Sequence, residues 1–509
     1  MFSFSKFEHH TKKVYFNHEV PVSKEFRVIV NGIEVPVYSC RISKESFNRG
    51  WPGYQRAINQ TVEASYVNLV SDEELCVEVI TDTKYERAFV KPYSKEIKTQ
   101  AEGSKIAFTI KENGQYILEL DSHCHCLYIF NNKPYVCEDP EKVTHYFGAG
   151  IHFPGKIALK DNDVVYIDKD AYVYGCLLLD NVHNVRVYGN GIMDNSGEER
   201  FDGPVVELMN GNLRMYHSQN VVIEGVAFQN SPFWCVAIFG CFDVVFDDIK
   251  IFGQWRYNTD GLDICNSQRI TVKNSFIQSF DDTIVFKGMD RYWDEEQTVY
   301  YPAIDNKDIL VENCVFWSDW GRVIEFGFET ACREYKDIIV RNIDVVKGCH
   351  AIISFHNGES AEMHDILVED IRVEYESFYN APQLQRDDDD VYTCQDEPMI
   401  PNLFDISDDR YKKYWGELGA LNPHPKIDLS GIEYASVHDI VVRNIKVYYD
   451  EKIPKNQGRY NVPIVIDKTI PEIKTYNILL ENIIVNGTKL SSQNAVLVNT
   501  YMAKDFKIV

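Results

Sequence analysis

The sequence predicts an all-β chain, a right-handed parallel β-helix preceded by an N-terminal β-sandwich, and three observations predict it. A short unit of polar, β-branched, any and apolar residue, often closed by Asn or Asp, recurs nine times between residues 184 and 483. Neighbouring copies are spaced as one coil of three short strands requires. The preceding stretch has a different texture, with β-rich runs punctuated by hairpin signals and no convincing helical period.

The sandwich comes first. In residues 20–135, the runs 26–30 and 33–38 flank Asn31 and Gly32, and the runs 106–110 and 116–120 flank a turn containing Asn113 and Gly114. Asn-Gly between alternating apolar residues is a strong hairpin signal, so two hairpins are expected. His123, Cys124, His125 and Cys126 form the one dense cluster of metal-ligating types. Alternation along a strand would send the two Cys one way and the two His the other, which favours strand packing over a metal site.

The repeats begin at Asn184, Asn220, Asp243, Arg269, Asp308, Asp337, Asp365, Asp439 and Asn477. Consecutive starts lie 23 (220 to 243), 26 (243 to 269), 29 (308 to 337) and 28 (337 to 365) residues apart. Stacked coils of that length keep apolar residues inside and alternate polar ones outside, with Asn and Asp serving corners and side-chain ladders. The expected division is a sandwich over residues 1–140 and a helix over 141–509, with insertions at 290–307 and 374–431. The second insertion holds the acidic run 387–390 and a short helical candidate at 411–418, and reads as a solvated decoration rather than a lid.

Composition narrows the partners. With 77 acidic against 52 basic residues the formal net charge is -25, which disfavours nucleic acid and anionic membranes. The first residues lack the apolar core of a signal peptide and no segment offers 18 uninterrupted apolar residues, so the expected location is cytoplasmic. The 13 cysteines follow no disulfide framework and are expected mostly as buried free thiols. Nothing in the pattern asks for a cofactor or a metal.

Residues 258–288 carry the chemistry. A coiled chain would bring Asp260 beside Asp281 and Asp282, with Ser279 suiting a corner ahead of the pair. Glycosidic hydrolysis needs one protonated carboxyl to donate to the leaving oxygen and one ionised carboxyl to activate water. Crowded acids supply that difference, because like charges oppose one another's ionisation. Acids stacked on adjacent coils start about 4.8 Å apart, a separation that leans toward a retaining mechanism.

The order Asn230-Ser231-Pro232, Asn258-Thr259-Asp260-Gly261, Asp281-Asp282 followed by Ile284-Val285-Phe286-Lys287-Gly288, and then Gly321 resembles the polygalacturonase family of glycoside hydrolases (family 28) and its clan relatives, the dextranases and isopullulanases (family 49). The resemblance implies a carbohydrate substrate, Asp281 as general acid, Asp260 and Asp282 holding and deprotonating the water, and inversion at the anomeric carbon. It also implies an N-terminal β-sandwich, as in dextranases. Two departures bear on the substrate. The family's Gly-His-Gly reads Gly321-Arg322-Val323 here, and residues 348–361 contain no counterpart of its Arg-x-Lys pair, which grips a uronate carboxylate. Plain polygalacturonate is therefore not implied; a neutral sugar, or a uronate held by Arg322 and Lys287, are both open.

Around the triad, Asn258, Lys287, Arg322, Glu325, Trp255 and Trp320 are the candidate substrate-binding residues, with Glu329 as a further carboxylate. Trp255, Tyr257, Trp317 and Trp320 fit sugar-stacking platforms and core fillers equally well. Arg322 fits a stand-in for the family His and also a counter-charge for the acidic cluster. Two other function classes compete: a β-helical polysaccharide lyase or uronate epimerase, and a non-catalytic glycan-binding β-helix.

Overall fold

The computed structural model describes residues 19–44, 58–198, 211–289, 292–293, 299–300, 305–358, 361–376, 399–408, 435–468 and 473–509. The helical candidate at 411–418 and the acidic run 387–390 lie outside the described residues. Among those described, β-strands dominate, and no helix is long and apolar enough to cross a membrane.

Two five-stranded sheets form the N-terminal sandwich. Phe26–Val30 and Ile33–Val35 make the first expected hairpin, with Asn31 at φ 49 and Gly32 at φ 80. Both turn residues need the left-handed region, which Asn and Gly tolerate best. The second expected hairpin does not form. Lys105–Ile110 pairs with Leu75–Thr81 in one sheet, and Gly114–Leu120 pairs with Ser122–Asn132 in the other, so the chain crosses between sheets at Asn113. Ile106, Phe108 and Ile110 meet Tyr116, Leu118 and Leu120 in one core from opposite sides. A sandwich arch and a hairpin thus show the same alternation.

The cluster at residues 123–126 interrupts its strand with a register shift between Ser122 and Cys126. Strict alternation fails there: His123 and Cys124 both reach the Lys44 carbonyl, at 2.9 and 3.2 Å, and His125 pairs with Glu25 at 2.7 Å. No group of three metal-ligating side chains occurs among the described residues. Most of the described cysteines are buried.

The β-helix is a single 28-stranded sheet wound into coils, nearly every pairing parallel. Its strands stack in three files. The nine repeats all fall in one file and pair in sequence order, from His183–Gly189 through Gln219–Glu224, Phe242–Asp247 and Gln268–Lys273 to Lys474–Val485. The first residue of every repeat is left-handed, with φ between 53 and 59. Asn and Asp accept that region at low cost, which explains their recurrence. Arg269 is the exception in type, and it holds Asp243 of the coil before with bonds of 2.6 and 2.8 Å. A second left-handed bend carries an Asn ladder, Asn313 to Asn274 at 3.3 Å and Asn342 to Asn313 at 2.6 Å. Inside the coils Phe286, Phe326 and Phe355 stack at 4.7 and 4.4 Å.

The sandwich rests on the second file of strands. Tyr66, Tyr128 and Phe130 of its helix-facing side pack on Phe252, Phe276 and Trp317. The acids lie at the corner between the second and third files.

Candidate active site

Asp260 ends the connection into the third-file strand Leu262–Cys265, and Asp281 and Asp282 end the connection into the next, Ile284–Gly288. Leu262 pairs with Ile284, so Asp260 and Asp282 hold equivalent places one coil apart. The backbone locks them together: the Gly261 N–H donates to the Asp282 carbonyl at 2.8 Å. Ser279 closes the preceding strand, and its hydroxyl donates to the Asp281 carbonyl at 2.6 Å while that of Ser318 donates at 3.0 Å. Pinned in this way, the corner frees both carboxyls from strand alternation. Asn258 Nδ2 donates to the Asp281 carboxyl at 3.3 Å, and the Arg322 backbone N–H donates to Asp282 Oδ1 at 2.8 Å.

Lys287 ties the cluster down. Its Nζ lies 3.0 Å from both Asp260 Oδ2 and Asp263 Oδ1, 3.8 Å from Glu329, and 3.6 Å from the centroid of the Trp234 ring. Burial pulls the lysine pKa down, but Asp260, Asp263 and Glu329 outweigh it and keep the ammonium charged. Burial raises Asp260, with Lys287 opposing and Asp263, Asp281 and Asp282 adding to the rise. Asp263 is pushed up to about 6 by burial against the pull of Lys287. Asp281 is pushed up to about 8, by burial first and by Asp282 second, with Lys287 and Arg322 opposing. It keeps part of its surface in solvent. Asp281, the one of these raised acids that keeps part of its surface open, is therefore placed to donate a proton at neutral pH.

Of the remaining candidates, Arg322 sits in register one coil beyond Asp282, and its Nε lies 3.6 Å from Glu325 Oε2. Glu325, Asp282, Asp405 and Asp281 all favour its charge against burial, so the counter-charge role is the one its surroundings support. The tryptophans separate. Trp317 and Tyr257 are fully buried and are core residues, not platforms. Trp320 is 8% exposed and stacked on Phe280 at 5.4 Å, so little of its ring is open to a sugar. Trp255 stays partly exposed, with the Arg256 guanidinium 4.5 Å from its ring centroid.

Sequence reasoning missed Asp263, Trp234, Ser354, His356 and Asp405. Asp263 alternates with Leu262 and Ile264, both core residues, so a period of two would have marked it as facing the same side as Lys287.

Comparison with known proteins fits this geometry. The model of glycosyl hydrolases family 28 matches residues 143–300, a span that includes Asp260, Asp281, Asp282 and Lys287. Over that span the chain is similar to glycoside hydrolases of family 28. Among curated relatives of this family 28-like chain, an exopolygalacturonase of Oenothera organensis is 27% identical over 22% of this chain and 33% of its own length. An exopolygalacturonase of Cochliobolus carbonum is 31% identical over 20% and 25%. The chain thus spans a third or less of these two relatives. A probable exopolygalacturonase B of Aspergillus terreus is 21% identical over 56% of this chain and 68% of its own. In fold, the chain is similar to Dex49A from Penicillium minioluteum over 99% of its own length and 97% of that protein, with a TM-score of 0.63 at 13% identity.

Proposed function

We propose that this family 28-like chain hydrolyses O-glycosidic bonds of an oligo- or polysaccharide with inversion, Asp281 acting as general acid. The observation that carries the reading is the pairing at one corner of Asp281, pushed up to about 8 and so protonated at neutral pH, with Asp282 beside it and Asp260 one coil away. Asp281 gives its proton to the leaving oxygen. Asp282, held by the Arg322 N–H, takes the proton of the attacking water, and Asp260, fixed by Lys287, orients that water. A positioned acid or base contributes roughly 10²–10⁴ in rate, so removing Asp281 should cost about that much.

The family's basic pair has no counterpart here, so plain polygalacturonate is not the substrate on this reading. A panel of α-linked and pectic oligosaccharides, read by mass spectrometry, identifies the sugar, and proton NMR of the first anomer formed tests the stereochemistry. A retained product sinks inversion. An unsaturated product absorbing in the ultraviolet assigns a lyase instead, and binding without any product across the panel assigns a glycan-binding protein.

A further inference from the structure

Beyond the catalytic corner, the outer face of the third file carries a second polar group. Glu325 pairs in register with Ser354, and Ser354 with Asp405, on three successive coils. His356 lies two residues after Ser354 and so shares its face. Glu325 and Ser354 are fully buried and His356 is 5% exposed. At about 4.8 Å per coil, the group runs on the order of 10 Å from Glu325 to Asp405.

The protein satisfies these side chains only in part: Ser354 lies close enough to pull the pKa of both Glu325 and Asp405 down, and Asn402 Nδ2 donates to Asp405 Oδ2 at 3.2 Å. Among the described residues, neither Glu325 oxygen, neither His356 ring nitrogen and not Asp405 Oδ1 has a hydrogen-bond partner. The basic groups nearest Glu325 are Arg322 Nε at 3.6 Å and His356 Nδ1 at 3.9 Å. Folded proteins pair nearly all such groups, with protein, ordered water or a bound ligand, so a row of open ones on a single strand face is a place where a polar ligand fits.

The chemistry of that ligand follows from the protonation states. Burial, with Arg322 adding, pushes His356 far down, so its ring is neutral and offers one donor and one acceptor. Burial raises Glu325 against Arg322, favouring a carboxylic acid, again a donor and an acceptor. Sugar hydroxyls, each donor and acceptor at once, complement both. An anion meets the opposite situation, because the Arg322 charge is already offset by the neighbouring Asp282 and Asp405.

We propose that Glu325, His356 and Asp405 form a hydroxyl-binding subsite, one to three coils beyond Asp282, that takes an uncharged sugar ring of the substrate. The inference rests on reading the chain as a glycoside hydrolase and assigns that enzyme a neutral glycan.

The test uses the full chain carrying Asp281→Asn, so that oligosaccharides bind without turnover. Calorimetric titration with neutral α-linked glucose and galactose trisaccharides, and with trigalacturonate, should find a neutral ligand that binds at least about 100-fold more tightly than the uronate. Adding His356→Leu or Asp405→Ala should weaken that neutral ligand about tenfold each, the loss of one hydrogen-bonded contact. His356→Gln, which keeps a donor and an acceptor, should stay within about threefold. Melting temperatures report folding, and if His356→Leu does not fold, partly exposed Asp405 carries the test. Tighter uronate binding, absence of binding by every neutral member, or neutral affinity indifferent to both changes overturns the subsite. Product from the unsubstituted chain with such indifferent affinity overturns the subsite alone. His356-dependent neutral binding without any product overturns hydrolysis alone.

Discussion

Gly321 abuts Asp282 so closely that a Cβ on the glycine would come within 2.4 Å of the Asp282 backbone nitrogen and 2.5 Å of its Oδ1. The same glycine donates its N–H to Phe280, on the other flank of the acidic pair. Gly321→Ala must therefore displace the corner that presents Asp281 and Asp282. Overpacking of this kind costs about 1–3 kcal/mol, a tolerable loss of stability. The displaced acids should lower kcat by 100-fold or more, since small misplacements at a reacting centre are amplified. Kinetics and a urea melt on the variant check this, and activity within threefold of the parent would contradict the placement.

The pKa of Asp281 sets two pH responses. As the acid it must be protonated, so turnover should fall as pH rises through about 8. Asp281→Asn should abolish turnover at every pH. Stability moves the other way on substitution. The folded value of about 8 lies above the ordinary 3.8, so between those values the native chain binds a proton that the unfolded chain has released. Stability therefore drops with rising pH across that window, and Asp281→Asn escapes the drop. The variant should melt alongside the parent below about pH 4 and above it near pH 8. Coincident melting curves at both ends would contradict the protonated acid.

The coil register was legible because it depends on local order alone. Asn184 through Asn477 mark left-handed bends at one-coil intervals, and a bend of that kind is a property of its own residue type. The triad followed from the register. What stayed hidden depends on contacts distant in sequence. Trp317 reads equally as platform or core filler until the sandwich docks on it through Tyr128, at 5.7 Å between ring centroids. Glu325, His356 and Asp405 alternate with core residues as any solvated strand face does, and only the assembled fold shows which of their atoms are buried. The arch at Asn113 was misread because opposite sheets and a hairpin impose the same alternation.

Lys91 joins the sandwich to the helix across one buried ionic knot. Its Nζ lies 3.3 Å from Glu119 of the sandwich and 3.4 and 3.3 Å from Glu374 and Glu376 of the helix. Burial pushes Glu374 up to about 8 even with Lys91 opposing. Lys91→Met removes the cation and strands the carboxyls, which costs about 3–5 kcal/mol. Urea unfolding should show that loss, and combining Lys91→Met with Glu374→Gln should recover part of it. An unchanged midpoint for the single variant would mean that the knot contributes nothing to docking.

The Asn ladder separates backbone preference from side-chain bonding. Asn342 sits at φ 54, donates to Asn313 at 2.6 Å and accepts from Arg372 at 2.6 Å. Asn342→Gly keeps access to the left-handed region and loses both bonds, each worth about 0.5–1.5 kcal/mol at most where solvent competes. Asn342→Ala loses the bonds and also meets a left-handed penalty of roughly 1–2 kcal/mol. Stability in urea should thus fall in the order parent, Gly, Ala, with turnover unchanged because this bend joins the first and second files, away from the acids. Equal stability for Gly and Ala would show that the bend does not select residue type, and the recurrence of Asn and Asp at these positions would then rest on the ladder alone.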